Sequence, residues 1–342
     1  MEEPVVLITG GAGYIGSHVA AVLLSAGYRT VLLDNYCNSS PEPVSRLDAL
    51  APGKLRIVVG DVRNETLFDD LFQSFQPTAV IHLAGLKSIA DSIAQPEAYY
   101  DVNIGGARAL VRSMVRHGVG KLVFSSSASV YGETNSVPIS ENASLNPAHP
   151  YGVSKLECER IFEDIAIKNP WFQAISLRYF NPVGAHPSRL IGEQVNSEAT
   201  TLFSMLAKVG LRADEMLPIY GGDWPTPDGT AIRDYVHVMD LADAHLTALK
   251  LINGPEVGLT HEAINIGTGR GISVLEAVAS FTQSCGREIP YRIMPRRSGD
   301  IAVSYADVSL AARVLGWRAK RSLSEMCEDH WLWGLAQSKS PV

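Results

Sequence analysis

Short apolar runs alternate with stretches of helical periodicity through the first half of the chain. Six runs have the length of buried strands, at residues 5–9, 30–34, 56–60, 79–83, 121–126 and 173–177. The intervals carry apolar residues at helical spacing, most clearly at residues 99–117 and 151–168. Strands that alternate with helices form right-handed crossovers, so the pattern predicts an α/β fold with a doubly wound, mainly parallel sheet covered by helices on both faces. In such a sheet the ligand lies at the carboxyl ends of the strands.

This alternation stops after residues 181–187, and the second half follows no single period. Helices resume at residues 240–252 and after Ser273 and Ser322, each of which opens a Ser-x-x-Glu capping box. We therefore expect a first domain over residues 1–181 and a smaller mixed α/β lobe over residues 182–342, with a ligand cleft between them. Whether part of the second half returns to pack on the first domain stays open.

A glycine-rich turn, TGGAGYIG at residues 9–16, follows the first predicted strand and opens the first predicted helix. Gly10 and Gly11 allow a tight turn. Gly13 lets the backbone approach a pyrophosphate, and Gly16 lets the helix lie close to the sheet. The second strand ends in Asp34, where a carboxylate binds the adenosine ribose of a dinucleotide. Together these features predict a dinucleotide site, and the charge of Asp34 favours NAD over NADP.

Composition narrows the class of protein. The 342 residues are 46% apolar with a net charge of −7, which is unlike a general nucleic-acid binder. No apolar run has the length of a membrane span, and the acidic start is unlike a signal peptide. Four scattered cysteines indicate reduced thiols in the cytoplasm, and nine dispersed histidines predict no metal site. We expect a cytoplasmic protein with a phosphate-bearing small ligand and no nucleic-acid, membrane or metal partner.

Tyr151 and Lys155 stand four residues apart at the start of the helix after the fifth strand, so they share one helix face. An ammonium beside a phenol lowers the pKa of the phenol, as a general base requires. A Tyr-x-x-x-Lys pair alone is weak evidence, but this pair lies downstream of a dinucleotide turn. The fifth strand ends in serines, either as a plain polar turn or as hydroxyls that face the ligand. Ser127 is best placed to pass a proton between a substrate hydroxyl and Tyr151.

These motifs and others across nearly the whole chain resemble the extended short-chain dehydrogenase/reductase family. The others are Asp34-Asn35 and the segments 60–62, 84–87, 178–186, 226–230, 233–238 and 295–300. Segment 178–186, RYFNPVGAH, is specific to the branch whose members invert C4 of UDP-hexoses. The resemblance implies NAD as cofactor, UDP-glucose and UDP-galactose as substrates, a role in galactose metabolism, and a homodimer built from helices 99–117 and 151–168.

The resemblance also implies a reaction without net oxidation. Tyr151 takes the proton of the sugar 4-hydroxyl while C4 gives hydride to NAD, and the 4-keto sugar turns and receives the hydride on its other face. Ser127 shares the proton path, while Lys155 holds the nicotinamide ribose and tunes Tyr151. The implied cofactor contacts are Gly10, Gly13, Tyr14, Ile15, Gly16, Asp34, Asn35, Asn38, Ser39, Asp61, Val62, Leu83, Ala84, Gly85, Lys87, Asn103, Tyr151, Lys155 and Tyr179. The implied substrate contacts are Ser127, Tyr151, Asn181, Thr200, Thr201, Leu202, Tyr220, Arg233, Arg297, Asp300 and Ser304.

The sequence departs from the family at residues 197–202, where relatives carry Gly-Ile-Pro-Asn-Asn-Leu on the nucleotide diphosphate. Here the hydroxyls of Thr200 and Thr201 replace two amides, and Glu198 adds an anion. Either threonine is able to cap the following helix, so that its N-terminus holds the phosphates instead. A second interpretation is equally open: the substitutions at residues 197–202 weaken UDP binding or change which nucleotide sugar is bound.

Ser304 is a second informative position. Relatives carry either a tyrosine or a small residue there, and the size of that side chain limits what fits at C2 of the sugar. A serine leaves room for an N-acetyl group. We therefore expect activity on UDP-GlcNAc and UDP-GalNAc as well as on the hexoses.

Three other functions stay open. A nucleotide-sugar 4,6-dehydratase or decarboxylase needs a carboxylate just after the serine strand, where this chain has Ala128 and Ser129. A non-catalytic NAD-binding protein accounts for the altered residues 197–202 but not for the complete set of Ser127, Tyr151 and Lys155. A dehydrogenase that releases NADH uses the same residues and differs by a growing NADH absorbance.

Overall fold

The computed structural model describes residues 3–133, 136–194, 201–212, 215–254, 260–297 and 299–338. The first half alternates as predicted. Its strands are β1 (Val5–Thr9), β2 (Arg29–Asp34), β3 (Leu55–Val59), β4 (Ala79–His82), β5 (Lys121–Ser127), β6 (Gln173–Tyr179) and β7 (Asn181–Val183). Its helices are α1 (Tyr14–Ser25), α2 (Glu42–Leu50), α3 (Glu65–Phe75), α4 (Ile89–Ala94), α5 (Pro96–Tyr99), α6 (Gly106–Arg116) and α7 (Pro150–Lys168).

The second half adds shorter strands and four helices. The strands are β8 (Leu217–Tyr220), β9 (Ile232–Arg233), β10 (Tyr235–His237), β11 (His261–Ile266), β12 (Ile272–Ser273), β13 (Tyr291–Met294) and β14 (Val303–Ser304). The helices are α8 (Leu202–Leu211), α9 (Val238–Asn253), α10 (Val274–Cys285) and α11 (Leu323–Ser338).

One seven-stranded sheet organises the molecule, in the order β11-β6-β5-β4-β1-β2-β3. Every neighbouring pair in it is parallel, which confirms the predicted fold class. The strand order reverses between β1 and β4, and this reversal marks the crevice where open α/β sheets bind their ligands. All six predicted strands belong to this sheet.

Helices cover both faces of the sheet. On one face α1 and α9 pack over side chains such as Ile8 and Leu32. On the other face α3, α6 and α7 pack over Leu7 and Phe124. The strands are therefore buried on both sides, which explains why they appear in the sequence as continuous apolar runs rather than alternating ones.

Part of the second half returns to the first sheet. Helix α9 packs against α1, and β11 pairs with β6 at the sheet edge. A π-helical turn at Ala311–Leu315 packs in this first core as well. Helices α8, α10 and α11 form a separate core around side chains such as Phe203 and Phe281. The small sheets β12-β9-β14, β8-β13 and β7-β10 join this core to the carboxyl ends of the large sheet.

The local helix signals have mixed outcomes. Both serines are confirmed as N-caps, since the Ser273 hydroxyl accepts the Glu276 N–H at 3.0 Å and the Ser322 hydroxyl accepts the Glu325 N–H at 3.3 Å. The return bond of a capping box runs from the Ser322 N–H to Glu325 at 2.7 Å, whereas Glu276 pairs with Arg270. The helix predicted over residues 99–117 is interrupted by a π-helical turn at Tyr100–Gly105, which the apolar pattern does not signal. Within the described part of the chain, no helix combines the length and apolar content that a membrane crossing requires.

Candidate active site

Two glycines, one in the turn after β1 and one in the first turn of α1, have no room for a side chain. Gly10 has a φ of +70°, and a Cβ there would lie 2.7 Å from the Ala84 nitrogen. A Cβ on Gly16 would lie 2.1 Å from the Gly10 carbonyl oxygen, so α1 packs directly on the turn. At Gly13 the φ is −71°, and a Cβ would meet only the Gly10 oxygen, at 3.3 Å. The missing side chain of Gly13 therefore leaves an open cradle over the start of α1.

Asp34 ends β2 beneath this turn and is buried. Its Oδ2 accepts the Ala12 N–H at 2.9 Å, and its Oδ1 accepts the Tyr36 N–H and the Ser39 hydroxyl, each at 2.9 Å. A carboxylate has about four acceptor positions. Hydrogen bonds from the protein occupy three of these acceptor positions and anchor the glycine turn. The Asp34 carboxylate keeps an acceptor position for a ligand hydroxyl.

Asp61 follows β3 and forms an ion pair with Arg63 at 2.7 Å. Arg63 also reaches Asp101 at 2.6 Å, and the Asn35 amide donates to Asp61 at 3.2 Å. Hydrogen bonds from Arg63 lower the pKa of Asp61 to about 2. Asp61 is therefore ionised at neutral pH, and its hydrogen bond with Asn35 connects it to the end of β2.

Asn103 holds the loop after β4. Its Oδ1 accepts the Leu86 N–H at 2.8 Å, and its Nδ2 donates to the Leu86 carbonyl at 3.1 Å and to the Ser154 hydroxyl at 2.9 Å. A Cβ on Gly85 would lie 2.8 Å from Oδ1 of Asn103. The π-helical turn directs Asn103 into this position. Its side chain therefore clamps the loop and ties it to α7.

The other predicted cofactor residues of this edge lie close to the same loops. Leu83 and Ala84 extend β4, and the Ala84 N–H donates to the Thr9 hydroxyl at 3.3 Å. Ile15 of α1 packs against the core, Val62 is buried, and Asn38 is exposed.

Tyr151, Lys155 and Ser127 meet where β5 ends and α7 begins. The Lys155 Nζ donates to the Ser125 carbonyl at 2.8 Å and lies 5.9 Å from the centre of the Tyr151 ring. The Ser127 hydroxyl accepts the Ser129 N–H at 3.1 Å. Burial lowers the pKa of Lys155 to about 8. The structure thus brings the three predicted catalytic residues together.

The expectation that Lys155 lowers the pKa of Tyr151 is wrong for the groups of the chain alone. Burial raises the pKa of Tyr151, and the Ser127 hydroxyl only partly opposes this effect. The Lys155 ammonium is itself buried and donates to the Ser125 carbonyl, so it is held at the end of β5.

A buried ion pair between Arg178 and Glu159 lies next to the serines at the end of β5. Arg178 donates to Glu159 at 2.7 and 3.0 Å and to the Tyr131 hydroxyl at 3.0 Å, and the Ser126 hydroxyl bonds to Glu159. Breaking a buried pair of this kind leaves an unpaired charge and costs about 3–5 kcal/mol. Arg178, from the specific motif, therefore has a structural role here, because it joins β6 to α7 beneath the serines.

Four predicted substrate residues form one cluster in the second lobe. The Arg297 guanidinium lies 4.6 Å from the centre of the Tyr220 ring, and its Nε donates to Asp300 at 3.0 Å. Burial lowers the pKa of Arg233, and the charge of Arg297 lowers it further. Two neighbouring arginines with one carboxylate leave a local positive charge, which suits a diphosphate. In the sheet register Arg233 is the partner of Ser304.

At the altered segment, Thr200 lies outside the described residues. Thr201 caps α8, since its hydroxyl accepts the Ser204 N–H at 3.3 Å, and Leu202 is the first helical residue. The predicted cap is thus confirmed for Thr201. However, the Thr201 and Ser204 hydroxyls both donate to the Glu193 carboxylate, at 2.9 and 2.7 Å. Lys87, predicted at the cofactor, has its Nζ 3.8 Å from the same carboxylate.

Two predicted cofactor tyrosines use their hydroxyls within the protein. Tyr14 donates to the Gly184 carbonyl at 2.7 Å, and Tyr179 is bonded to His245. Burial raises the pKa of both groups. Both phenols are therefore neutral at physiological pH. Tyr14 holds α1 to the segment after β7, and Tyr179 holds β6 to α9.

Three site residues were missed by sequence reasoning. Glu159 follows Lys155 by four residues on α7, a spacing that places both on one helix face. His149 stands directly before a proline, which is an N-cap position. Glu193 carries no local signal, because its partners Lys87 and Thr201 are brought to it only by the fold. Among the described residues, no group of three or more His, Cys, Asp or Glu is arranged to hold a metal ion.

Comparison with known proteins gives consistent matches. A model of the NAD dependent epimerase/dehydratase family matches residues 6–267. UDP-glucose 4-epimerase of Yersinia pestis is 45% identical over 338 residues, which cover 98% of each chain. A solved UDP-glucose-4-epimerase from Stenotrophomonas maltophila, with bound NAD and formylated UDP-arabinopyranose, is 43% identical over 99% of each chain with a TM-score of 0.95. One from Bifidobacterium longum with NAD+ and UDP is 40% identical, covers 98% of this chain and 99% of that one, and has a TM-score of 0.92.

Proposed function

Because the chain belongs to the NAD dependent epimerase/dehydratase family, we propose that it inverts C4 of UDP-hexoses and so interconverts UDP-glucose and UDP-galactose. It is an isomerase that uses NAD without net oxidation. The similar proteins of known structure that bind NAD together with UDP or a UDP-sugar support both ligands here. The second half, from residue 182, supplies most of the UDP-sugar contacts.

The observation that carries this proposal is the path from the tyrosine site to the arginine cluster. Ser127 at the end of β5 is the register partner of Tyr179 in β6. Two residues later, the Asn181 N–H donates to the Asp234 carbonyl at 2.9 Å, beside Arg233. Neighbouring strands lie about 4.8 Å apart. The strand that ends at Ser127 is therefore connected, through β6 and β7, to the strand segment that carries Arg233.

The residues of the carboxyl edge fit NAD. Gly13 is the N-cap of α1, and none of the side chains that the structure describes caps this helix. Its first turn carries no acid. The free N–H groups and the positive end of the helix dipole suit a pyrophosphate. The carboxylate of Asp34 suits the ribose hydroxyls and opposes a 2′-phosphate.

The proton chemistry belongs to the residues of the chain. The chemistry that bound NAD supplies is reversible hydride exchange at C4 of the sugar. Tyr151 takes the proton of the 4-hydroxyl and returns it to the inverted hydroxyl, with Ser127 on the proton path. Lys155 fixes the end of β5 through Ser125 and places a positive charge below the phenol ring.

A dehydratase is supported less well. Its elimination step needs a carboxylic acid or carboxylate beside the sugar ring. Ala128 and Ser129, which follow Ser127, form a short 3-10 turn without a carboxylate. A protein that only binds NAD would have no use for a partly buried tyrosine and a buried lysine side by side at the start of α7.

A proton NMR time course on UDP-galactose tests the proposed function. The protein is purified and assayed first without added NAD and then with NAD. We expect the gluco anomeric signal to appear without a lasting rise in NADH absorbance. No conversion even with NAD refutes the epimerase, and NADH that grows with substrate consumption indicates a dehydrogenase.

Ser304→Tyr tests the wider substrate range. The partly buried Ser304 is the register partner of Arg233, and its small side chain leaves space beside the arginine cluster. We expect the wild type to convert UDP-GalNAc as well as UDP-galactose. Ser304→Tyr should lower UDP-GalNAc turnover by about 5- to 150-fold, since overpacking costs about 1–3 kcal/mol, while UDP-galactose turnover changes little.

Ser304→Ala is the matched control for this prediction and should convert both sugars. The measurement is the initial rate by NMR for each sugar. Equal loss of both activities in Ser304→Tyr would show that position 304 does not select at C2.

We further infer a cytoplasmic homodimer. Large apolar side chains on α4, the π-helical turn and α7 are exposed, namely Ile89 (43%), Ile93 (55%), Tyr100 (37%) and Ile167 (67%). Helices at residues 99–117 and 151–168 of two copies would cover such a surface. All four cysteines are free thiols, as a reducing compartment requires. Light scattering should give twice the 36.9 kDa chain mass, and a monomer at micromolar concentration would contradict the dimer.

A further inference from the structure

His149 caps the helix that carries Tyr151. It precedes α7 in an extended conformation, and its Nδ1 accepts the Gly152 N–H at 3.2 Å. Because Nδ1 is the acceptor, the neutral ring carries its proton on Nε2. Pro150 at the first helical position has no N–H of its own. The start of α7 therefore depends on an imidazole, which loses its acceptor when it gains a second proton.

The same imidazole lies against Tyr151. The two rings are nearly parallel, at 9°, with centroids 6.0 Å apart. The Tyr99 ring meets Tyr151 edge-on, with centroids 6.5 Å apart and an interplanar angle of 82°. The Tyr151 phenol thus lies between the stacked His149 ring and the edge-on Tyr99 ring. Of these two neighbours, His149 is the one that gains a charge when it is protonated.

We infer that His149 is a positioning residue for Tyr151: its Nδ1 fixes the start of α7, its ring fixes the plane of the phenol, and protonation of the imidazole removes the Nδ1 acceptor and releases the start of α7. The inference rests on the proposed function, because it assigns His149 to the same reaction. His149 itself need not touch the substrate.

The charges around the two rings define the expected pH dependence. Lys155 of α7, Tyr99 of α5 and Ser127 of β5 face Tyr151. Among the described residues, no charged group is a cause of the pKa shift of His149; burial lowers this pKa, and a hydrogen bond to the residue's own backbone opposes the effect. A cation at a helix N-terminus is unfavourable as well.

The sign of this effect follows from the lowered pKa. The folded protein binds the second proton of His149 less tightly than the unfolded chain does. The cap is therefore fully effective above the ordinary imidazole pKa, and it is lost as the pH falls through the lowered pKa of the folded state. Activity should show an acid limb with this origin, at a pH below the ordinary imidazole value.

Substitutions separate the ring from the cap. His149→Asn keeps a side-chain acceptor for the Gly152 N–H but removes the ring and its titration. His149→Phe keeps a ring beside Tyr151 but removes the acceptor. His117→Asn is the matched control, because His117 lies at the end of α6 with Asp69 as its partner.

For His149→Asn we expect an unchanged Tm at pH 8, a KM within about twofold and a kcat about fivefold lower, since an aromatic pair contributes about 0.5–1.5 kcal/mol. The acid limb of kcat should disappear. His149→Phe should lower Tm, and His117→Asn should keep the wild-type limb. A His149→Asn protein with wild-type kcat and an unchanged acid limb would overturn the inference.

A second measurement needs no turnover. The protein is labelled with [ζ-13C]tyrosine, and the Tyr151 signal is identified by its loss in Tyr151→Phe. This signal should move as the pH falls through the His149 titration in the wild type, and it should not move in His149→Asn. A moving signal in a protein that converts no UDP-sugar would refute the proposed function alone, and a static signal in an active enzyme would refute the role of His149 alone.

Discussion

Tyr151→Phe is expected to lower kcat by about a thousandfold, with little change in Tm or in the affinity for NAD. A positioned acid–base group contributes about 10²–10⁴-fold to a rate, and this variant loses the oxygen that exchanges the 4-hydroxyl proton. Phenylalanine keeps the ring contacts with Tyr99 and His149, so the packing around α7 is preserved. The rate is measured by NMR at saturating UDP-galactose.

Tyr99→Phe is the control for Tyr151→Phe. The Tyr99 hydroxyl donates to the Ser88 carbonyl at 2.6 Å, away from the proposed reaction. Its loss removes one neutral hydrogen bond, worth about 1 kcal/mol of stability, and leaves kcat within about threefold of wild type. Turnover by Tyr151→Phe within tenfold of wild type would exclude Tyr151 as the proton-transfer group.

Gly13→Ala is expected to weaken NAD binding about a hundredfold, or about 2.7 kcal/mol, while the unfolding temperature stays close to that of the wild type. The backbone at Gly13 has an extended conformation that alanine adopts, and the new methyl group meets only the Gly10 oxygen, at 3.3 Å. The methyl group therefore fills the cradle without disturbing the fold. Tm is measured by circular dichroism and NAD affinity by calorimetry.

Gly16→Ala gives the contrasting result. Its Cβ would lie 2.1 Å from the Gly10 oxygen, so the turn or α1 has to move and both Tm and NAD affinity fall. If Gly13→Ala binds NAD as tightly as the wild type, the pyrophosphate does not lie over the start of α1. If Gly13→Ala instead loses stability as Gly16→Ala does, the cradle is part of the internal packing.

Local patterns were sufficient to predict the framework of the fold. Strands buried on both faces, such as β1, appear as continuous apolar runs, and Ser322 and Thr201 sit next to the helices they cap. The return of β11 to the edge of the sheet was not predictable, because its partner β6 is distant in sequence and the run from His261 has no distinctive period.

The candidate site was predicted where its chemistry is local to one motif. Tyr151 and Lys155 share one helix turn, so their proximity follows from spacing alone. Their pKa values do not follow from spacing, because burial raises the pKa of the Tyr151 phenol and the Lys155 ammonium donates to the Ser125 carbonyl. Likewise the clamp formed by Asn103 depends on a π-helical turn and on Ser154 of another helix. Such effects arise from contacts between distant segments.

Incubation with UDP-[4-2H]galactose mixed with UDP-[13C6]galactose that carries no deuterium tests the central claim most directly. If C4 is oxidised and reduced again within one active site, the UDP-glucose formed keeps its deuterium at C4, and the deuterium stays out of the 13C-labelled molecules. Mass spectrometry and NMR of the products measure both quantities. Loss of deuterium to water, or its transfer to 13C-labelled product, would contradict inversion by a hydride that is held within a single enzyme molecule.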